Sequence, residues 1–216
     1  MRGKSIILWD LDGTLTDPEE GITKAVQHSL RAFGIKIPDR RRLYPFIGPP
    51  LKDSYMREFA FTQEEADLAI AKYREYFSVT GLYENIPYDG IEGLLHDLQK
   101  AGKTLLVATS KPTVFAARIL EHFRLLPYFH GVYGSELDGT RVEKADVIRY
   151  ALEQERITAR SRCVMVGDRD YDVLGAHRNG LEAIGVTYGY GSREELIQAG
   201  AEAVAEDVNG LRQLLL

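Results

Sequence analysis

A doubly wound α/β core with an inserted helical domain is the fold class that this 216-residue sequence predicts. Short, continuous apolar segments alternate with amphipathic helical stretches, as in a parallel sheet that is covered on both faces. One region, residues 17–86, contains helical stretches and no apolar strand. Acidic residues directly follow two of the apolar segments. Because ligands of doubly wound folds bind at the carboxyl ends of the strands, these acidic residues mark a candidate site.

Six apolar segments are predicted to form a Rossmann-like parallel sheet. Most are continuous apolar runs rather than alternating ones, which is typical of strands that are buried on both faces. The segments are residues 5–10, 104–109, 131–135, 163–167 and 183–188, with a short sixth at 203–205.

The helices between these strands have recognisable ends. Gly102 is predicted to end the helix over residues 90–102. Pro112 occupies the first position of the next helix, where its missing N–H is harmless. Ser192 and Glu195 have the spacing of a capping box.

Residues 17–86 interrupt the alternation of strands and helices. Asp17 is predicted to cap a long helix that Pro18 starts and Gly34 ends. Further helical stretches cover 51–61 and 63–79. We interpret residues 17–86 as a helical cap domain inserted into a core formed by residues 1–16 and 87–216, and we expect this cap to act as a lid.

Composition and charge argue against several classes of partner. Hydrophobic residues make up 44% of the chain, charged residues 27%, and the net charge is −5. No basic stripe suggests nucleic-acid binding. Cys163 is the single cysteine, which excludes an intrachain disulfide. No apolar run approaches the roughly 20 residues of a membrane helix, and the N-terminal one is too short for a signal peptide. We expect a cytoplasmic protein without membrane partners, and a monomer or weak homodimer.

Two aspartates stand at the end of the first strand. Asp10 and Asp12 are separated by one residue, so on an extended chain both carboxylates point the same way. Gly13 then permits a sharp turn. A turn alone explains Asp12-Gly13, but it does not explain a second carboxylate on the same face. Two neighbouring carboxylates repel each other and need a positive partner.

A second acidic pair follows another buried strand. Asp168 comes directly after residues 163–167, and Asp172 lies one helical turn further on, on the same face. Acidic residues also favour helix N-termini by about 0.3–1 kcal/mol, which is the simpler explanation for either one alone. Together, the two strand ends supply the oxygen ligands that a hard cation such as Mg²⁺ prefers. The sequence therefore predicts a magnesium site.

Three further residues add groups that suit a phosphoryl ligand. Thr109 and Ser110 end a predicted strand, and Lys144 opens a predicted helix. A hydroxyl, backbone amides, a lysine and a divalent cation together form a typical phosphoryl site.

On these residues, the chain resembles the haloacid dehalogenase superfamily of phosphohydrolases, in the branch with a helical cap after the first motif. The matching motifs are DLDGTLTD at 10–17, the strand ending in Thr109, Lys144, and GDRDYD at 167–172. The resemblance covers the whole chain. It is strongest to phosphoglycolate phosphatase and 5′-nucleotidase-like small-molecule phosphatases.

The resemblance implies a mechanism through an aspartyl-phosphate. Asp10 would be the nucleophile, and Asp12 would protonate the leaving oxygen and then accept a proton from water. Mg²⁺ would be held by Asp10, the backbone carbonyl of Asp12 and Asp168, with Asp172 in direct or indirect support.

The resemblance also implies how the phosphoryl group is held. Thr109, the backbone at Ser110, and Lys144 would bind its oxygens. The substrate would be a small phosphate ester.

Other activities remain open on this fold. A phosphomutase shares every core motif. A dehalogenase has no use for Mg²⁺ or for a second aspartate such as Asp12. A phospho-receiver would lack both the second aspartate and the cap, and a non-catalytic binding protein would have lost at least one motif residue. In the cap, Lys24, Lys52 and Arg57 are candidates to bind a second anionic group, and Tyr44 and Phe46 are candidates to stack on a base. A solvated cation or a packed aromatic ring is the more common arrangement for each.

Overall fold

The computed structural model describes residues 1–216 and divides into two compact units. The first, here called the core unit, consists of Met1–Asp17 and Pro87–Leu216. The second, the helical unit, consists of Pro18–Ile86. Asp17 thus belongs to the core unit, one residue beyond the boundary that the sequence suggested.

The core unit contains a six-stranded parallel sheet, as the sequence predicted. The strands of the chain are β1 (Ile6–Trp9), β2 (Thr16–Asp17), β3 (Ile86–Pro87), β4 (Thr104–Pro112), β5 (Gly131–Ser135), β6 (Cys163–Gly167), β7 (Glu182–Val186) and β8 (Ala203–Ala205). The large sheet has the order β5-β4-β1-β6-β7-β8, and β2 and β3 form a separate two-stranded sheet.

The α-helices are divided between the two units. The helical unit has α1 (Glu19–Arg31), α2 (Leu51–Phe59) and α3 (Gln63–Phe77); the core unit has α4 (Ile91–Lys100), α5 (Thr113–His122), α6 (Lys144–Gln154), α7 (Asp170–Arg178), α8 (Arg193–Gln198) and α9 (Val208–Leu215). Short 3-10 helices cover Arg40–Phe46, Gly81–Tyr83, Leu126–Tyr128 and Arg160–Arg162. No helix is both long enough and apolar enough to span a membrane.

Strand β1 lies at the centre of the sheet and positions the site. Its last residue, Trp9, is in register with Val107 of β4 on one side and with Val166 of β6 on the other. All three residues are fully buried. Because these strands are parallel, their carboxyl ends meet at one edge of the sheet, and the residues that follow β1 and β6 lie next to each other there.

Strand β4 is longer and less regular than its sequence predicts. It extends to Pro112 rather than ending at Thr109, and its pairing with β5 shifts between Ala108 and Pro112. Ala108 is opposite Tyr133, whereas Pro112 is opposite Ser135. Two extra residues are therefore accommodated on β4, and such bulges redirect side chains near many active sites. Pro112 precedes helix α5 instead of starting it.

Two predicted helix caps are also different in the structure. Asp17 does not cap α1, which begins after Pro18 without a side-chain cap. Ser192 accepts a hydrogen bond from the backbone N–H of Glu195 at 3.0 Å, but the Glu195 carboxylate binds Arg169 at 2.8 Å rather than closing a capping box. An ion-pair partner that directly precedes α7 takes the place of the local contact.

The helical unit has an aromatic core of its own. Phe46 and Tyr55 are almost completely buried and pack edge to face, with ring centroids 4.9 Å apart. Helix α3 begins with a complete capping box between Thr62 and Glu65. The Ser29 hydroxyl on α1 donates to the Ala69 carbonyl oxygen on α3 at 2.8 Å. These contacts show how the unit buries its apolar faces without a sheet.

Candidate active site

Asp10 and Asp12 lie in the turn that follows β1, and both are buried, with 4% and 8% of their surface exposed. The backbone N–H of Asp10 donates to the Val166 carbonyl oxygen at 2.9 Å, so the chain remains tied to β6 at this point. Gly13 follows in the left-handed region at φ 80°. A Cβ on Gly13 would lie 2.2 Å from Asp168 Oδ2, so only glycine allows the two loops to approach this closely.

Lys144, the first residue of α6, places its ammonium group between two carboxylates. Its Nζ lies 2.7 Å from Asp10 Oδ1 and 2.8 Å from Asp172 Oδ1, and it donates to the Ala108 carbonyl oxygen at 3.0 Å. Burial alone would lower the pKa of Lys144, but Asp10 and Asp172 outweigh it and raise that pKa. The lysine therefore carries a fixed positive charge beside Asp10.

Asp168 follows β6 and keeps one oxygen free. Its Oδ2 accepts a hydrogen bond from the backbone N–H of Tyr190 at 2.8 Å. Its Oδ1 is buried and has no hydrogen-bond partner in the protein. Burial raises the pKa of Asp168 well above its ordinary value, and the neighbouring carboxylates of Asp172 and Asp10 raise it further. A buried oxygen without a partner is costly unless something binds it.

Asp172, in the first turn of α7, has partners on both oxygens. One is the Lys144 ammonium, and the other is the backbone N–H of Arg169, which donates to Oδ2 at 3.1 Å. Burial raises the pKa of Asp172 to about 6, against the opposing effect of Lys144. The structure thus gives Asp172 a clear contact with the lysine.

The carboxylates of Asp10, Asp168 and Asp172 form a cluster that can hold a metal ion. One oxygen of each lies within 4.8 Å of the others, and all three residues are buried. The unpartnered Oδ1 of Asp168 fits a cation in this cluster. The donors are carboxylate oxygens only, which suits a hard cation. Asp12, the fourth predicted residue of the metal site, was expected to contribute its backbone carbonyl, and its carboxylate is not part of this cluster.

The Asp12 carboxylate instead forms an ion pair with a residue that the sequence analysis missed. Lys111 Nζ lies 2.8 Å from Asp12 Oδ2, and both side chains are buried. Burial raises the pKa of Asp12, Lys111 opposes this effect, and Asp10 adds to it. No local signal in the sequence indicated Lys111, because the pairing of β4 with β5 shifts between Ala108 and Pro112 and regular alternation of side chains does not apply there.

Thr109 and Ser110 lie in the irregular part of β4, directly before Lys111. Thr109 is 2% exposed, and its hydroxyl oxygen accepts the backbone N–H of Lys111 at 3.3 Å. The Ser110 carbonyl oxygen accepts the hydroxyl of Ser135 at 2.8 Å. Ala108, which immediately precedes Thr109, binds Lys144 through its carbonyl oxygen. The predicted phosphate-binding segment therefore adjoins both lysines of the site.

The loop after β7 also contributes to the site at the carboxyl ends of the strands, and the sequence analysis did not identify it. Tyr190 donates its backbone N–H to Asp168 and its hydroxyl to Asp17, and Tyr188 donates its hydroxyl to the Thr14 carbonyl oxygen at 3.0 Å. A Cβ on Gly189 would lie 2.3 Å from the Gly13 carbonyl oxygen. The sequence did contain one indication of this role: the loop follows an apolar strand, and the carboxyl ends of parallel strands share one edge of the sheet.

In the helical unit, the predicted specificity residues are largely occupied by local contacts. Lys24 lies 2.6 Å from both Glu20 and Glu84. Lys52 and Arg57 pair with Asp67 and Glu58. Phe46 is buried in the aromatic core. Tyr44, in the 3-10 helix, is half-buried. The first four residues thus have the structural roles that such residues most often have.

Comparison with known proteins assigns the family. Residues 7–186 match the family described as haloacid dehalogenase-like hydrolase. A 5′-nucleotidase of Pseudomonas aeruginosa is 52% identical over 97% of this chain and 94% of its own length. The tyrosine-protein kinase PtkA of Mycobacterium tuberculosis is 38% identical over 97% of this chain and 72% of its own length.

A solved structure gives the same result. The crystal structure of a predicted phosphatase from Clostridium acetobutylicum is 52% identical, covers 98% of this chain and 97% of its own, and superposes with a TM-score of 0.95. The fold, the acidic strand ends and these relatives agree, and the chain belongs to the haloacid dehalogenase-like hydrolases as a phosphatase of that family.

Proposed function

We propose that this protein hydrolyses small phosphate monoesters, nucleoside monophosphates foremost, through a phosphorylated Asp10. The observation that carries the proposal is the position of Asp10: a buried carboxylate at the end of the central strand, 2.7 Å from the Lys144 ammonium. A carboxylate is fully charged at neutral pH in its ordinary state and is a competent nucleophile without a separate base.

In the first half-reaction, Asp10 attacks phosphorus. A bond forms between a carboxylate oxygen and phosphorus while the bond to the leaving oxygen breaks. Asp12 gives its proton to that oxygen, and the product alcohol departs. Lys144 and the segment Thr109–Ser110 bind the phosphoryl oxygens, where positive charge and fixed dipoles favour the transition state.

In the second half-reaction, water replaces Asp10 on phosphorus. Asp12, now a carboxylate, accepts the proton of the water, and Asp10 is released together with inorganic phosphate. One carboxyl group thus serves as acid and then as base.

We further propose that Mg²⁺ is held by Asp10 and Asp168 together with the backbone carbonyl of Asp12, and that Asp172 supports the site mainly through Lys144. The unpartnered Asp168 Oδ1 and the all-oxygen donor set favour this cation. When bound, Mg²⁺ supplies positive charge that neutralises the phosphoryl group. Asp172 has both oxygens occupied by protein groups, which favours the indirect role.

The substrate class is inferred from two features. The relative named 5′-nucleotidase is 52% identical over nearly the whole chain. In addition, the helical unit is inserted between Asp17 and Pro87, only a few residues after Asp12. We propose that it acts as a lid that admits small molecules and excludes water during transfer.

A substrate panel with Mg²⁺ tests this function. We expect phosphate release from nucleoside 5′-monophosphates with a kcat/KM at least about tenfold above that for phosphoglycolate, and negligible release from a folded phosphoprotein. Release of phosphate with glucose 1-phosphate, without glucose 6-phosphate, would separate hydrolysis from mutase activity. A phosphoprotein that is the better substrate would contradict both the lid and the substrate class.

The relative named tyrosine-protein kinase calls for a second assay. Incubation with ATP labelled in the γ-phosphate and a tyrosine-containing protein measures transfer to tyrosine rather than to water. We expect no labelled protein above that found with Asp10→Asn. Labelling that depends on Asp10 would assign transferase activity to the same site.

A further inference from the structure

The buried ion pair between Lys111 and Asp12 has no place in the mechanism so far. Their charged atoms are 2.8 Å apart, and the two side chains are 5% and 11% exposed. Removing both charges from water is expensive, and an apolar pair of similar size is often no less stable. Stability alone is therefore a poor explanation for this pair, which suggests a role in the reaction.

The two oxygens of the Asp12 carboxylate have different surroundings. Oδ2 faces the Lys111 ammonium. Oδ1 is buried and has no hydrogen-bond partner in the protein. An ammonium group on one oxygen fixes the rotation of the carboxyl group and leaves the other oxygen as the one that can exchange a proton with a ligand.

The two lysines of the site form ion pairs with different carboxylates. Lys144 forms its ion pairs with Asp10 and Asp172, and Lys111 forms its pair with Asp12. The irregular part of β4 makes this division possible. There the Thr109 hydroxyl binds the Lys111 backbone N–H, and pairing with β5 resumes only at Pro112.

We propose that Lys111 is a positioning residue for proton transfer: it holds Asp12 Oδ2, so that Asp12 Oδ1 is the atom that donates to the leaving oxygen and later accepts from water. This assignment rests on the proposed function. In the first step, the proton moves from Oδ1 to the leaving oxygen as the bond from that oxygen to phosphorus breaks. Asp12 is left as a carboxylate facing the Lys111 ammonium.

The role predicts a dependence on the leaving group. An aryl oxygen with a p-nitro group departs readily as an anion and needs little help from an acid. A benzyl oxygen needs the proton from Asp12. The ratio kcat/KM covers all steps up to departure of this group, so it isolates the step in which Asp12 acts as the acid.

The experiment measures kcat/KM with Mg²⁺ for p-nitrophenyl, phenyl and benzyl phosphate in wild type and Lys111→Met. We expect the variant to lose about 10²-fold or more with benzyl phosphate and less than about tenfold with p-nitrophenyl phosphate. Asp12→Asn should show the same pattern, and adding Lys111→Met to it should not change the pattern further. Lys111→Arg, which keeps a cationic donor, should restore part of the benzyl phosphate activity.

Lys4→Met is the matched control. Lys4 is also a buried lysine in a 2.6 Å ion pair, with Glu182, but it precedes β1 at the opposite edge of the sheet. We expect it to leave the ratio between the substrates unchanged. If Lys111→Met does not fold by circular dichroism, Lys111→Gln provides the same comparison.

Two outcomes would overturn the assignment. An equal loss for all three esters would show that Lys111 serves phosphate binding or folding rather than the acid. A wild-type protein that is inactive on every ester would remove the proposed function and this assignment together. The first failure leaves the phosphatase function intact, so the two are distinguishable.

Discussion

The ion pairs at the two ends of the parallel strands differ in how deeply they are buried. At the amino edge, before β1, Lys4 pairs with Glu182 and donates to the Ser161 carbonyl oxygen at 2.9 Å. The Glu182 side chain is 44% exposed, so water shares in solvating this pair. At the carboxyl edge, the ion pairs of Lys111 and Lys144 are almost fully buried.

The charge balance also differs between the edges. In the pair at the amino edge, the one positive charge of Lys4 balances the one negative charge of Glu182. At the carboxyl edge, two lysines face four aspartates, so two negative charges remain unbalanced when all the groups are ionised. The four aspartates are Asp10, Asp12, Asp168 and Asp172. Uncompensated buried charge is destabilising, and a fold keeps it where a ligand supplies the missing charge. The ion pair at the amino edge is thus consistent with a structural role, and the excess of carboxylates at the carboxyl edge with binding of a cation.

The largest expected effect comes from the nucleophile. Asp10→Asn keeps the shape of the side chain but removes the charge, and we expect kcat to fall by at least about 10³-fold, as single nucleophile removals do. The residue is 4% exposed, so the substitution places a neutral amide in a buried position. Phosphate release from a nucleoside monophosphate measures the effect.

The fold of this variant should persist, because Lys144 retains its contact with Asp172. An unchanged circular dichroism spectrum is the control. A variant that keeps more than a few per cent of wild-type turnover would exclude Asp10 as the nucleophile.

The second prediction concerns the effect of Mg²⁺ on the stability of the protein at different pH values. The raised pKa of about 6 for Asp172 means that the folded apo protein holds this proton more tightly than the unfolded chain does. The contribution of this group to stability is thus present below about pH 4 and is lost as pH rises through about 6. Burial and the neighbouring carboxylates also raise the pKa of Asp168, a proposed Mg²⁺ ligand. Binding of Mg²⁺ requires ionised carboxylates and should therefore strengthen as pH rises.

We therefore expect Mg²⁺ to raise the melting temperature more at pH 7.5 than at pH 5, relative to EDTA. At a concentration 100 times its Kd, the gain in the free energy of unfolding is about 2.7 kcal/mol. EDTA should abolish activity. Asp168→Asn, which alters the residue with the free oxygen, should remove the thermal effect. An equal rise at both pH values would argue against a cation among these carboxylates.

The sequence was informative about the site residues whose role depends on their place at the end of a strand or the start of a helix. Asp10, Asp168 and Lys144 lie at strand ends or helix starts that apolar patterns predict, and parallel strands bring such ends together. The order of strands in space was not needed for this inference. It is enough that all carboxyl ends share an edge.

Roles that depend on an approach between distant segments were not predictable in this way. Lys111 reaches Asp12 through a bulge in β4 that no local pattern indicates. Asp17 has the sequence features of a helix cap, yet its carboxylate accepts a hydrogen bond from the hydroxyl of Tyr190, 173 residues away. Local propensity contributes about 1 kcal/mol at a cap, and a tertiary contact of this kind readily outweighs it.

The smallest expected effect tests the amino edge. Lys4→Met removes a partly hydrated ion pair and one hydrogen bond, so the free energy of unfolding should fall by only about 1–2 kcal/mol. Lys144→Met leaves Asp10 and Asp172 buried without their cation, and the loss should reach about 3–5 kcal/mol at neutral pH. Urea unfolding in EDTA compares the two variants without a contribution from metal. Phosphatase activity per folded molecule should stay near wild type in Lys4→Met, because Glu182 remains half-exposed to water and no residue of the carboxyl edge loses a partner. Equal losses of stability in the two variants would mean that buried charge is tolerated alike at both edges. The excess of buried carboxylates at the carboxyl edge would then be no argument for a bound cation.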